Sequence, residues 1–186
     1  HSPHPLGVSN ISQPGRMVAK KRPVTNIWML SREYGDLAGA GGVKDVVYQL
    51  SKSLARWTGR SVHVVMPLYG FISPSQYGFS PLSDPLKPTE ELKLSVDMNL
   101  PTGPVQEQVS YYYLKMERVH LYLVASKRFA EKKGVYTYTV EEEENSSWQK
   151  SGSGHHDYFA MNLLLQKSGL ELMMALGEKP DVIHCH

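Results

Sequence analysis

The chain has 186 residues, 41% of them apolar and 20% charged, which excludes fibrous and wholly disordered classes and suits one globular domain. Lys plus Arg number 20 and Asp plus Glu 18, a net charge of +2, too small a surplus to mark a nucleic-acid or membrane-surface binder. The one cysteine, Cys185, excludes an intrachain disulfide framework, and no apolar run reaches the ~20 residues needed to cross a bilayer. With no secretory signal pattern at its start, the chain is expected in a reducing, aqueous compartment.

Residues 1–22 read as a flexible tail or cloning remnant. They carry three prolines, three serines, two glycines and no acid, and Arg16, Lys20, Lys21 and Arg22 give a charge of +4. Met17 is a candidate native start. A transit-peptide remnant is the alternative, because such peptides are basic, Ser-rich and acid-poor.

The domain is expected over residues 23–186, with order beginning at Thr25. Ile27-Trp28-Met29-Leu30 is a short continuous apolar run between Pro23 and Ser31-Arg32-Glu33, the pattern of a strand buried on both faces. Gly35, Gly39, Gly41 and Gly42 form a turn. Val43 to Trp57 then shows helical periodicity, ended by Gly59. A second buried strand runs from Val62 to Met66 and stops at Pro67. Strand, glycine turn, helix and strand open a doubly wound α/β fold.

Leu92, Leu94, Val96 and Met98 alternate with polar residues as in a half-buried strand. Pro101-Thr102-Gly103-Pro104 predicts a turn into a strand within 105–119, and hence an antiparallel hairpin. Leu121 to Ala125 is a further buried strand. Residues 132–154 read as a loop, with the acidic run Glu141 to Glu144 as a solvated face. A helix follows from about Tyr158 to Leu176, with Phe159, Leu163, Leu170 and Met174 along one stripe and Gly177 as its stop. Val182 and Ile183 begin another buried strand. A chain ending there reads as cut.

Four constellations could carry chemistry. The segment Gly39-Ala40-Gly41-Gly42-Val43-Lys44-Asp45, between strand and helix, offers backbone N–H groups and a helix dipole to a phosphate, although a tight turn without ligand fits the same residues. A dinucleotide fingerprint would need glycine where Lys44 stands and an acid near Met66-Pro67-Leu68-Tyr69, so a nicotinamide cofactor is disfavoured. Glu33 follows the first strand, at the edge where an α/β sheet does its chemistry; a loop or capping role competes. In His155-His156-Asp157, Asp157 is a candidate N-cap, and adjacent histidines seldom aim at one metal ion. In a strand, His184 and His186 share one face with Cys185 pointing away, which does not make a zinc site.

Together these residues resemble the N-terminal domain of bacterial glycogen synthases and plant starch synthases. Ser31-Arg32-Glu33 leads, at the family's spacing, to Gly39-Ala40-Gly41-Gly42-Val43-Lys44-Asp45-Val46. Val64-Val65-Met66-Pro67-Leu68-Tyr69 matches the end of the family's next strand. Asp157 and Glu171 match an aspartate and a glutamate fourteen positions apart, and Pro180 to His186 match Pro-Asp-x-x-His-x-His. Two departures stand out: Gly39 replaces a phosphate-contacting lysine, and Met161-Asn162 replace an Arg-Phe pair.

The resemblance implies one half of a GT-B architecture: a Rossmann-like, mostly parallel sheet with helices on both faces and an antiparallel hairpin insertion. It implies retaining glucosyl transfer from ADP-glucose to an α-1,4-glucan, without metal or other cofactor. The partner is a C-terminal domain of the same protein, and the fragment alone would be inactive. His186 and Asp157 are the implied catalytic residues; Glu33, Gly39, Ala40, Gly41 and Gly42 are the implied substrate-binding ones, and His184 is the structural runner-up to His186. The location implied is the cytoplasm, or a plastid if the tail is a transit remnant. Another GT-B transferase and a non-catalytic glucan-binding or regulatory domain are the competing readings.

Overall fold

The computed structural model describes residues 26–32, 61–116, 119–134 and 137–185. The expected tail, glycine turn and helix over 43–57 lie outside the described residues, as do Glu33 and His186.

Strand β1 (Asn26–Leu30) and β2 (Ser61–Pro67) are parallel neighbours, with Ile27 opposite Val62 and Leu30 opposite Val65. Both were expected as continuous apolar runs, and Trp28, Leu30, Val64, Val65 and Met66 are all buried. Beyond β2 come three short strands, β3 (Ser80–Pro81), β4 (Ser83–Asp84) and β5 (Lys87–Glu91). The expected hairpin follows as β6 (Lys93–Leu100) and β7 (Gly103–Met116), antiparallel from Leu100 opposite Gly103 to Lys93 opposite Ser110. Next are β8 (Val119–Ala125) and two short helices, α1 (Lys127–Ala130) and α2 (Val140–Asn145). Helix α3 (Tyr158–Ala175) and β9 (Val182–Cys185) complete the order.

The main sheet runs β3-β7-β8-β2-β1-β9, with β6 also paired to β7. Its centre, β8-β2-β1-β9, is parallel; the β6, β7 and β3 side is antiparallel. A half-buried antiparallel hairpin thus extends a parallel core, as the alternation in β6 and the continuous apolar runs in β1, β2 and β8 require.

Helix α3 covers one face of the sheet. The Tyr111 hydroxyl donates to the Ser168 carbonyl at 2.7 Å, and Leu30 packs beneath Gly169. Because strand side chains alternate, Trp28, His63, His120, Tyr122, Tyr111 and Tyr113 share that face with Leu30.

Three expectations need correction. The stripe Phe159, Leu163, Leu170, Met174 is not the packed face of α3. Phe159, Leu170 and Met174 are exposed, while Ala160, Met161, Leu164, Leu165, Leu172 and Met173 are buried. The helix is apolar on nearly every side, so periodicity alone picks no face. Val182 and Ile183 are exposed, not buried, because among the described strands β9 has only β1 as a neighbour. Residues 132–154 are not all loop. Thr139 accepts from Glu142 N and Glu142 accepts from Thr139 N, a reciprocal capping box that starts α2 inside the acidic run and buries Glu142. Gly177 does end α3, at φ 66°.

Candidate functional site

In a parallel sheet the chemistry gathers beyond the carboxyl ends of the strands. Here those ends deliver Arg32 after β1, Tyr69 and Gly70 after β2, α1 after β8, and the start of α3. Each is held for a local reason. Ser126 caps α1 by accepting from Phe129 N at 3.2 Å, and Phe129 is fully buried. The end of α1 is clamped to the β2 loop: Gly70 N donates to the Lys132 carbonyl at 2.8 Å, and a Cβ on Gly70 would collide with the Ala130 carbonyl oxygen.

Asp157 occupies the N-cap position of α3, but its side chain makes no cap bond. The expected capping role is thus replaced by another. Asp157 Oδ2 accepts from Arg128 Nη1 at 2.8 Å and from Lys132 Nζ at 3.1 Å. Arg128 is in turn anchored on the hairpin, donating from Nε to Glu107 Oε1 at 2.8 Å and pairing a second time through Nη2. Burial alone would raise the Asp157 carboxyl; the Lys132 ammonium and the Arg128 guanidinium outweigh it and hold the group below its ordinary value. Asp157 is therefore a fixed anion. Its other oxygen, Oδ1, is buried and has no hydrogen-bond donor among the described residues.

The two neighbouring histidines diverge. His155 is buried, and neither ring nitrogen has a partner among the described residues; burial and the nearby Lys132 hold its pKa below the ordinary value. His156 is exposed and leans on Trp148 and Tyr138. Among the described residues no three His, Cys, Asp or Glu side chains gather closely enough to hold a metal ion.

Arg32 reaches from the end of β1 to α3, donating from Nη1 to Asn162 Oδ1 at 3.2 Å, with its guanidinium carbon 4.6 Å from the centre of the Tyr158 ring. The Tyr69 hydroxyl donates to the Arg32 carbonyl at 3.2 Å. Asn162, one of the two departures noted in the sequence, is thus the residue that receives Arg32. Met161 beside it is fully buried, so the departure is accommodated by packing on one side and a hydrogen bond on the other.

Of the sequence-predicted site residues, Asp157 lies at this edge. Glu33, Gly39, Ala40, Gly41, Gly42 and His186 are outside the described residues. His184, expected to pack, is exposed on β9, on the sheet face away from α3. Sequence reading missed Arg128, Lys132 and Glu107. They are scattered singly along the chain, and no local pattern links them to Asp157.

A mostly parallel sheet with a polar cluster at the carboxyl edge of its strands is the arrangement in which α/β domains gather their chemistry. The model of the starch synthase catalytic domain matches residues 26–186, and the chain belongs to that family of glycosyltransferases. Glycogen synthase 1 of Geobacter sulfurreducens is 30% identical over 164 residues, 87% of this chain and 28% of that protein. The probable starch synthase 4 of Arabidopsis thaliana is 26% identical over 159 residues, 84% of this chain and 13% of that protein. Among solved structures, the catalytic domain of Arabidopsis starch synthase IV bound to ADP and acarbose superposes with a TM-score of 0.51 at 21% identity. It covers 88% of this chain and 28% of that one, and shares its fold. The chain thus spans about 28% of the length of the first of these relatives. None of its described helices is long and apolar enough to cross a membrane.

Proposed function

We propose that this chain, residues 23–186 above all, is the N-terminal domain of a retaining glucosyltransferase that extends an α-1,4-glucan from ADP-glucose. The domain works against a second domain of the same protein and does not turn over alone. The observation that carries this reading is Asp157: a carboxylate fixed as an anion at the carboxyl edge of the parallel strands, with one buried oxygen that has no donor among the described residues. It stands where the family resemblance expects a sugar contact. A sugar hydroxyl is a donor of the right kind.

In this reading the backbone N–H groups of Gly41 and Gly42 meet the phosphate oxygens on which charge develops as the glycosidic bond to the nucleotide breaks. Gly39, Ala40 and Glu33 are further substrate contacts in this reading, and His186 holds the donor glucose near the reacting carbon. Gly39 brings no side-chain cation. The charge-assisted hydrogen bond that a lysine would supply, worth roughly 1.5–3 kcal/mol, is therefore absent. Domain closure excludes water from the reacting centre.

The test is glucosyl transfer from labelled ADP-glucose to a glucan, measured for the full-length protein and for this chain. Transfer by the first and none by the second is the expected pair of results. Absence of transfer by the full-length protein, with retained glucan binding, would favour a non-catalytic glucan-binding domain. Turnover by this chain alone would refute the two-domain requirement.

A further inference from the structure

The charged cluster around Asp157 is more than an ion pair that ties helices together. Four groups form it: Glu107 on β7, Arg128 and Lys132 on and just past α1, and Asp157 at the head of α3. Their formal charges sum to zero, so the cluster offers no surplus cation to a phosphate. It suits a neutral, hydroxyl-bearing ligand.

The two oxygens of Asp157 are used unequally. Both cations converge on Oδ2, and Oδ1 stays buried without a donor among the described residues. A purely structural salt bridge would gain more by sharing both oxygens, because an unsatisfied buried acceptor costs free energy. Lys132 is itself buried and donates also to the Arg128 carbonyl at 3.4 Å, so its ammonium has little freedom to swing across to Oδ1. Arg128 is equally constrained, with Nε and Nη2 held by Glu107. Arg128 and Glu107 also line a cavity of about 440 Å³ together with Gln106, Gln108 and Glu131. The hairpin therefore sets the guanidinium, and the guanidinium sets the carboxylate.

We propose that Glu107, Arg128 and Lys132 are a positioning relay that grips Asp157 through Oδ2 and presents Oδ1 to a sugar hydroxyl. This rests on the reading above that Asp157 faces a sugar. Arg128 and Lys132 touch no substrate in this arrangement; they act through Asp157. The lowered titration of Asp157 follows from the same two cations and keeps Oδ1 an acceptor throughout the neutral range.

The relay is tested in the full-length enzyme with Arg128→Met and Arg128→Lys, and in this chain by following the Asp157 carboxyl by ¹³C NMR. Arg128→Met is expected to lower kcat by roughly ten- to a hundredfold, the loss of one charge-assisted contact, with a smaller change in KM for the glucan. The acid limb of kcat/KM and the Asp157 titration should both move to higher pH. Arg128→Lys should recover part of kcat and most of the titration shift. Wild-type kcat and an unmoved acid limb in Arg128→Met would overturn the relay. So would equal damage from Arg128→Lys and Arg128→Met with equal losses in melting temperature, the mark of a structural role. Asp157→Asn with wild-type kcat would overturn it too, while leaving glucosyl transfer intact. Absence of transfer by the wild-type full-length enzyme would instead sink the function. The NMR titration would then decide the relay's grip on its own, an unmoved Asp157 in Arg128→Met refuting it.

Discussion

The two ends of helix α3 rest on polar groups of opposite kinds. At its head, Asp157, Arg128, Lys132 and Glu107 are joined by salt bridges. Near its tail, the sheet carries a ladder of neutral rings at cross-strand positions. Trp28 stacks on His63 with centroids 4.4 Å apart, and His63 stacks on His120 at the same distance. His63 Nδ1 shares a hydrogen bond with the Tyr122 hydroxyl at 3.1 Å, and His120 Nδ1 one with the Tyr113 hydroxyl at 2.7 Å. Burial and the neighbouring His120 push the His63 pKa down to about 4. The ladder end gains by staying uncharged and stacked, which holds β1, β2 and β8 in register. The Asp157 end keeps its charges and, among the described residues, leaves Oδ1 without a donor. One end coheres through stacked rings and the other through charge.

The largest break in this contrast should come from the ladder. Trp28 is fully buried, and Trp28→Ala removes a ring from the centre of the parallel strands. The expected cost is ~3–5 kcal/mol, and urea titration of the chain should show it as a lower midpoint. A loss below 1 kcal/mol would mean that the stacked rings contribute little to cohesion. A smaller effect is expected at the other end from Gly70→Ala. The added Cβ meets the Ala130 carbonyl, so α1 must retreat from the β2 loop, at a cost of ~1–3 kcal/mol typical of overpacking. Its signature is a displaced Arg128. The Asp157 carboxyl should titrate closer to its ordinary value, whereas in Trp28→Ala it should not move.

The cohesive end was the legible one. The runs Ile27 to Leu30, Val62 to Met66 and Leu121 to Ala125 declare strands buried on both faces, and the turn at Pro101 to Pro104 declares the hairpin. The stacking of Trp28 on His63 on His120 was not legible, because it depends on the register between strands far apart in the chain. The site was legible only through Asp157. Its helix position suggested a cap, and only the fold shows that Arg128 and Lys132 take the carboxylate instead. The capping box of α2 could have been found: Thr139 precedes the acidic run and Glu142, three positions on, lies within it. The inner face of α3 could not, because apolar residues on nearly every side leave the choice to the sheet beneath.

Acid should separate the two ends by pH. His63 titrates near 4 in the folded chain against an ordinary 6.5, so between those values the unfolded chain binds more protons and stability falls as pH falls. The groups facing it are His120 on β8, Tyr122 beside it, and Trp28 on β1, with Lys115 and Glu178 acting on His120. One such proton gives a slope of at most about 1.4 kcal/mol per pH unit. The Asp157 carboxyl is lowered, so its contribution is complete above the ordinary carboxylate value and is lost only below it. His63→Phe keeps a ring on Trp28 but cannot titrate. It should flatten the decline between pH 6.5 and 4 and leave the loss below pH 4 in place. An unchanged decline in His63→Phe would assign the upper limb to His120 or His155, whose pKa values are also lowered by burial.

The smallest effect is expected at α2, which flanks the Asp157 end without belonging to the ladder. Thr139 Oγ1 accepts from Glu142 N at 3.3 Å, and Glu142 Oε1 accepts from Thr139 N at 3.1 Å and from Lys133 N at 3.3 Å. Thr139→Ala removes one acceptor from the first turn and costs ~1 kcal/mol. Glu142 still bonds Lys133 and Thr139 through their backbone N–H groups, so the segment stays attached to the loop that carries Lys132. The loss should therefore be local. Amide exchange should speed up over 140–145 and stay unchanged in β1, β2 and β8, which open only with the whole domain. Faster exchange in those strands would show that the two ends of α3 are energetically one unit, and that the division between a stacked end and a charged end is wrong.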